Sequence, residues 1–176
     1  MLSNLRKIAK AQGGMAAAEF ALILPVMLVL VFGSIEVTNA LICRTDVSTM
    51  AGTAADLVAQ ETQVGQTDIN NVFSALSALV YPYPTTGAQI VITSVIDDGH
   101  GGGKVDWSQA YNATPRSKGT PVTVPTGLIT TGGSVIMSEI TYTYTPVSTW
   151  LVKYPITMSN RFYSHPRRVA QVLWTG

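Results

Sequence analysis

The sequence predicts an α+β protein in which a long N-terminal transmembrane helix continues into a small domain with a second helix and an antiparallel sheet. Apolar residues make up 47% of the 176 residues and charged residues only 12%, and the apolar excess lies near the N-terminus, as in a small domain with an anchor. A helical period follows this excess, and the second half alternates strand-like patterns with turn residues.

The first element is an apolar segment that begins after a basic flank. The sixteen residues from Phe20 to Ile35 carry no charge, but as a helix they span only about 24 Å, less than the roughly 30 Å hydrocarbon core of a bilayer. Extending the helix back to Met15 gives about 31 Å, which is a full span. This extension draws Glu19 toward the hydrocarbon.

Charge bias predicts the orientation of this helix. Because the side richer in Lys and Arg stays in the cytoplasm, we expect a cytoplasmic N-terminus and a periplasmic or extracellular C-terminal part. The predicted organisation is a cytoplasmic basic leader at 1–14, a transmembrane helix at 15–37 and an extracytoplasmic α+β domain at 38–176. The leader cations are Arg6, Lys7 and Lys10.

Glu19 needs a partner at this depth, because an ionised carboxylate near the bilayer centre costs about 2.5–3.5 kcal/mol. Lys10 and Arg44 are too far along the sequence, since helical neighbours are three or four residues apart. Cleavage after Gly14 would create an α-amino group on Met15, four positions before Glu19 on the same helical face. In an assembly, the amine of one subunit could equally neutralise the carboxylate of the next.

These residues carry a family resemblance. Gly14 followed by MAAAEF is similar to the prepilin peptidase site of type IV pilins and pseudopilins, which has a short basic leader, a Gly, four residues, then Glu and an aromatic residue. The longer stretch GGMAAAEFALILPVMLVLVFGSIEV resembles the opening of the TadE-like family of tight-adherence (Tad/Flp) pilus systems, including Pro25, Gly33 and Glu36. SHPRR at 164–168 resembles a Pro-Arg element late in that family.

The resemblance implies a bacterial inner-membrane protein that is incorporated in a pilus or acts in its assembly. It also implies a processing site made by Gly14, Met15, Glu19 and Phe20. At 176 residues the chain is too long to resemble the very short major pilin, which favours a minor subunit in cell adhesion. The implied partners are prepilin peptidase, other pilin or pseudopilin subunits, the assembly machinery and membrane lipid. The alternative is a single-pass anchored extracytoplasmic binding protein outside any filament. Pro25 is expected to kink the helix.

Beyond the membrane the helical pattern predicts one long helix from about Met15 to Glu61, followed by a second helix from Ile69 to Val80 that Asp68 caps at its N-terminus. Pro82 and Pro84 follow the second helix. The apolar residues that carry this pattern recur at spacings of about three, four and seven; they are Val37, Leu41, Val47, Met50, Ala54, Leu57 and Val58. The outer half of the helix is expected to be part core and part contact surface for neighbours, with a core helix of a single molecule as the alternative.

Four later segments predict the sheet. QIVITSVI at 89–96 is a β-branched strand, and DDGHGGGK after it is a hairpin-like connection to a second strand. Residues 113–133, rich in Pro, Gly, Thr and Ser, are expected to form a long surface loop. Residues 134–145 alternate, with Ile136, Ile140, Tyr142 and Tyr144 on the predicted buried face. A last strand is expected at 160–174, broken by Pro166.

The sequence nominates no catalytic residue, cofactor or metal site. Eleven basic and ten acidic residues leave no field that would recruit nucleic acid. DDGHGGGK lacks the Gly of a phosphate loop, and its aspartates, Asp97 and Asp98, lack the ligand spacing of a calcium loop. His100 and His165 are expected on the surface. Cys43, the single cysteine, is expected to pack as a small apolar residue, with an intermolecular disulfide as the alternative.

Overall fold

The computed structural model describes residues 12–150 and 152–176; the predicted leader cations lie outside them. Contacts divide the chain into two compact units. One contains the described residues up to Ala40 together with Pro146–Tyr154, and the other contains Leu41–Thr145 and Pro155–Gly176. The α+β fold class, with a long N-terminal apolar helix, a second helix and an antiparallel sheet, is confirmed.

Helix α1 runs from Gln12 to Ala59, within about three residues of the predicted bounds. Its last turn tightens, because Glu61 N–H donates to the Val58 carbonyl at 3.2 Å, and the chain then leaves the helix. Residues of α1 from Cys43 onward that recur every three or four positions are fully buried: Cys43, Val47, Met50, Ala54 and Val58. The predicted burial of Cys43 is confirmed.

The apolar pattern of α1 does not lie on the buried face at its N-terminal end. Val37 and Leu41 are exposed, because at 100° per residue they lie on a different side of the helix from Cys43. Ala51 and Ala55, which the pattern omitted, are buried. Their small side chains let the helix backbone approach the sheet closely, and the Ser138 hydroxyl donates a hydrogen bond to the Ala51 carbonyl.

Helix α2 runs from Gln66 to Leu79, three residues earlier than predicted. Asp68 is therefore not the N-cap; Gly65 takes that position. The Asp68 carboxylate still caps the helix from its first turn by accepting the Gly65 N–H at 2.9 Å, an arrangement that satisfies an otherwise unpaired donor. The buried face of α2 consists of Ile69, Phe73 and Leu76.

The sheet is five-stranded and antiparallel, with the order β4-β3-β2-β5-β6. A separate parallel pair joins β1 to β7. The strands are β1 (Gln63–Val64), β2 (Ala88–Asp97), β3 (Gly103–Tyr111), β4 (Pro121–Val122), β5 (Ser134–Tyr144), β6 (Ile156–Ser164) and β7 (Leu173–Trp174). The predicted hairpin between β2 and β3 and the predicted strand β5 are confirmed.

Two predictions for the sheet need correction. Residues 113–133 are not only a surface loop: they contain β4, and Val122 packs with Val95, Val135 and Met137. This cover explains why β5 is buried on both faces at its start, where simple alternation predicted one. Strand β6 begins four residues before the predicted start at Asn160 and ends at Ser164. The break at Pro166 agrees with the prediction, since proline cannot donate to a ladder, and β7 follows it.

Candidate functional site on the N-terminal helix

The predicted processing residues lie at the start of α1. Gly14, Met15, Glu19 and Phe20 are all exposed, and a Cβ at Gly14 would meet nothing within 4 Å. Met15 and Glu19 are four positions apart in a continuous helix, so both lie on one helical face. The Gly14–Met15 bond lies two residues after Gln12, the first residue that the structure describes.

The surface of α1 from Phe20 to Ile35 is apolar and almost entirely exposed. An apolar window long enough to cross a membrane is only 6% buried within the chain, far below the burial of a core helix. An exposed apolar surface of this size is typical of contact with lipid or with other proteins. This single N-terminal apolar helix indicates membrane anchoring.

Two hydroxyl groups, one near the C-terminal end of the apolar segment and one just after it, are hydrogen-bonded inside the helix. The Ser34 hydroxyl donates to the Val31 carbonyl at 2.8 Å, and the Thr38 hydroxyl donates to the Ser34 carbonyl at 2.8 Å. Such internal bonds let hydroxyl side chains reside in an apolar environment. These internal hydrogen bonds are compatible with hydrocarbon around this part of α1.

Pro25 lies inside α1 and is exposed. Because proline has no N–H, the carbonyl four residues before it, that of Ala21, loses its helical donor. The kink expected there stays a prediction.

Glu36 is the buried charge of this unit. Its side chain belongs to a residue only 4% exposed, and its carboxylate accepts the backbone N–H groups of Val147 at 3.2 Å and Ser148 at 3.1 Å. The Ser148 hydroxyl donates to the same carboxylate at 2.6 Å. A buried carboxylate needs such donors, and hydrogen bonds to a charged acceptor are the strong ones.

Residues 146–154, which we name the α1-contact loop, also meet α1 through an aromatic pair. Trp150 contacts Phe32 edge to face, with ring centroids 6.0 Å apart and planes at 81°, a favourable geometry for aromatic rings. Val152 N–H donates to the Ser148 carbonyl at 3.0 Å, which closes a turn. In the sequence, Glu36 belongs only to the family resemblance, and no pattern predicts a contact between residues 146–154 and the helix.

The acidic turn between β2 and β3 is a hairpin connection whose own aspartate accepts hydrogen bonds from its backbone N–H groups. The Asp98 carboxylate accepts the backbone N–H groups of His100 at 2.7 Å and Gly102 at 2.9 Å. These bonds lower the pKa of Asp98, because they stabilise its ionised form. Within residues 12–150 and 152–176, no group of three or more His, Cys, Asp and Glu side chains could hold a metal ion.

An open groove of about 480 Å³ lies in the second unit between α1 and β6. Thr49, Gly52 and Asp56 line it from the helix, and Phe162 and Arg167 line it from the other side. Asp56 accepts a hydrogen bond from Arg167, so its carboxylate is used in an ion pair.

Comparison with known families finds a match to the TadE-like protein family at residues 14–56, which confirms the resemblance predicted for the N-terminal segment. The Pro-Arg element at 164–168 lies outside the matched residues. The matched segment begins at Gly14 and lies entirely within α1. No curated protein and no solved structure matches the chain.

Proposed function

We propose that this chain, TadE-like over residues 14–56, is a minor pilin-like subunit, or pseudopilin, that prepilin peptidase cuts between Gly14 and Met15. After processing it acts in the assembly of a Tad/Flp-type adhesive pilus. The TadE-like match indicates a Tad pilus-associated protein, and the apolar helix indicates membrane anchoring. Removal of the leader, a role in pilus assembly and a cytoplasmic N-terminus are proposed in addition.

Access to the cleavage bond supports processing. A peptidase must hold its substrate extended, so the helix around Gly14 has to unwind. Two consecutive glycines, Gly13 and Gly14, favour this, because each lowers helix stability by about 1 kcal/mol relative to alanine. The space around Gly14 is open within the chain.

The placement of Glu19 supports a role for the new amino group. Glu19 is exposed on a helix whose other residues from Phe20 to Ile35 are uncharged, so in a membrane its carboxylate faces hydrocarbon or another subunit. An α-amine on Met15, or that of a neighbouring copy, would neutralise it. Pairing between copies would also fix the axial position of one helix against the next.

The test compares two pairs of variants in the native host. Gly14→Lys should block leader removal, whereas Gln12→Lys, which adds the same charge two residues earlier, should leave it intact. Glu19→Ala should be inserted and processed yet reduce piliation, whereas Glu61→Ala, at an exposed acid beyond α1, should not. Processing is read by mass spectrometry and piliation by electron microscopy of sheared fibres.

The second candidate is an anchored extracytoplasmic binding protein, and the groove lined by Phe162 and Arg167 favours it. Under this function Gly14→Lys and Glu19→Ala would leave both maturation and piliation unchanged. That result would remove the pilin-like proposal and retain the membrane anchor.

A further inference from the structure

The α1-contact loop exposes large apolar and aromatic side chains. Val147 is 82% exposed, Trp150 57% and Tyr154 77%, and Lys153 between them is exposed. A connection between two strands is normally built from polar and turn-forming residues. Three exposed apolar side chains among the eight described residues of the loop indicate a surface that contacts something other than water.

The loop contacts α1 close to the end of the predicted span. Trp150 packs on Phe32, and Phe32 lies three residues before Ile35, the last residue of the uncharged run. At 1.5 Å per residue this places the contact about 5 Å inside the end of the apolar segment. In a span from Met15 to Ile35, this depth is the outer edge of the hydrocarbon, next to the lipid headgroups.

The chemistry of the loop fits that boundary. Tryptophan and tyrosine are enriched at membrane interfaces because their rings are apolar and their N–H and O–H groups reach water. A lysine beside them can extend its ammonium group to lipid phosphates while its methylenes stay in the apolar layer. Trp150, Lys153 and Tyr154 supply all three groups within five residues.

The buried carboxylate of Glu36 holds the loop against the helix at this level. It accepts two backbone N–H groups of the loop and the Ser148 hydroxyl. In the interfacial layer those donors would otherwise have to compete for the few water molecules present. The carboxylate therefore makes a non-helical segment tolerable at a depth where unpaired backbone groups are costly.

We propose that the α1-contact loop is an interfacial membrane anchor, which inserts Trp150 and Val147 into the headgroup boundary of the leaflet where α1 leaves the membrane. Its partner is the lipid surface, and the continuity of the loop with the uncovered apolar side of α1 favours lipid over a second protein. The proposal depends on membrane anchoring by α1 and not on leader processing or pilus membership. It fixes the depth and the rotation of the helix at that boundary.

The test is quenching of tryptophan emission by lipid. The full chain is reconstituted at a low protein-to-lipid ratio into phosphatidylcholine vesicles, with and without bromine on the upper acyl carbons. Emission of the unmodified chain should fall on bromination. Trp150→Phe should lose most of this quenching, whereas the matched variant Trp174→Phe should retain it. Equal quenching in the chain and in Trp150→Phe would overturn the proposal, as would loss of quenching in Trp174→Phe alone.

A second measurement covers the case in which Trp150→Phe does not fold. Val147→Cys should react more slowly with a water-soluble maleimide in these vesicles than Ser117→Cys, an exposed position in the second unit. Native Cys43 is buried and contributes little labelling. Because Val147 is open in the isolated chain, slow labelling requires cover by lipid. Equal labelling at both positions, or protection that arises only when pili assemble, would contradict a lipid partner.

Discussion

Replacing Glu36 with alanine should release the α1-contact loop. The substitution leaves two backbone N–H groups and one hydroxyl without the acceptor that they now share. Hydrogen bonds to a charged acceptor contribute about 1.5–3 kcal/mol each. The two N–H contacts are long, at 3.2 and 3.1 Å, and a lifted loop regains water, so we expect a net loss of about 2–4 kcal/mol in loop stability.

Hydrogen exchange followed by mass spectrometry measures this loss directly. At 1.4 kcal/mol per factor of ten, the amides of Val147 and Ser148 should exchange roughly 30- to 1,000-fold faster, up to the unprotected rate. Glu36→Gln keeps one carbonyl acceptor and should show a smaller increase. Glu61→Ala is the control. An exchange rate in Glu36→Ala within about twofold of the unmodified chain would refute the reasoning.

Two further predictions concern the second unit. Ser138→Ala removes the buried hydroxyl that donates to Ala51 and should lower the free energy of unfolding by about 1–2 kcal/mol. Ser94→Ala removes a buried hydroxyl with no hydrogen-bond partner among the described residues and should be neutral or stabilising. Thermal unfolding of the full chain in detergent compares the two variants. Because the folded pKa of Asp98 is lowered, its stabilisation is present above the unfolded pKa of about 3.9 and is lost as the pH falls through the folded value. An acid titration should show that loss in the unmodified chain and less of it in Asp98→Asn.

The helices and the main strands could be predicted from local patterns. The apolar run predicted α1, and the alternation after Ser134 predicted β5, because hydrophobic period is a local property. Burial depended on tertiary contacts. Val37 and Leu41 fit a helical stripe in the sequence, but the face that packs on the sheet is set by Cys43 and by the close approach at Ala51.

The candidate site also contains residues that a local pattern predicts and residues that only tertiary contacts reveal. Gly14, Met15, Glu19 and Phe20 could be named from a short motif, since their proposed role depends on spacing along one helix. The partnership of Glu36 with Val147 and Ser148 joins residues more than one hundred positions apart, and no local pattern encodes such a contact. A cluster of Trp, Lys and Tyr after Pro146 was the one signal in the sequence that pointed to the loop.

The proposed function requires a cut that creates a positive charge on the helical face of Glu19. The most direct measurement is the N-terminal mass of the protein isolated from its own host membrane, in cells with and without prepilin peptidase. The account predicts a chain beginning at Met15 when the peptidase is present and at Met1 when it is absent. A chain that begins at Met1 in both would contradict it.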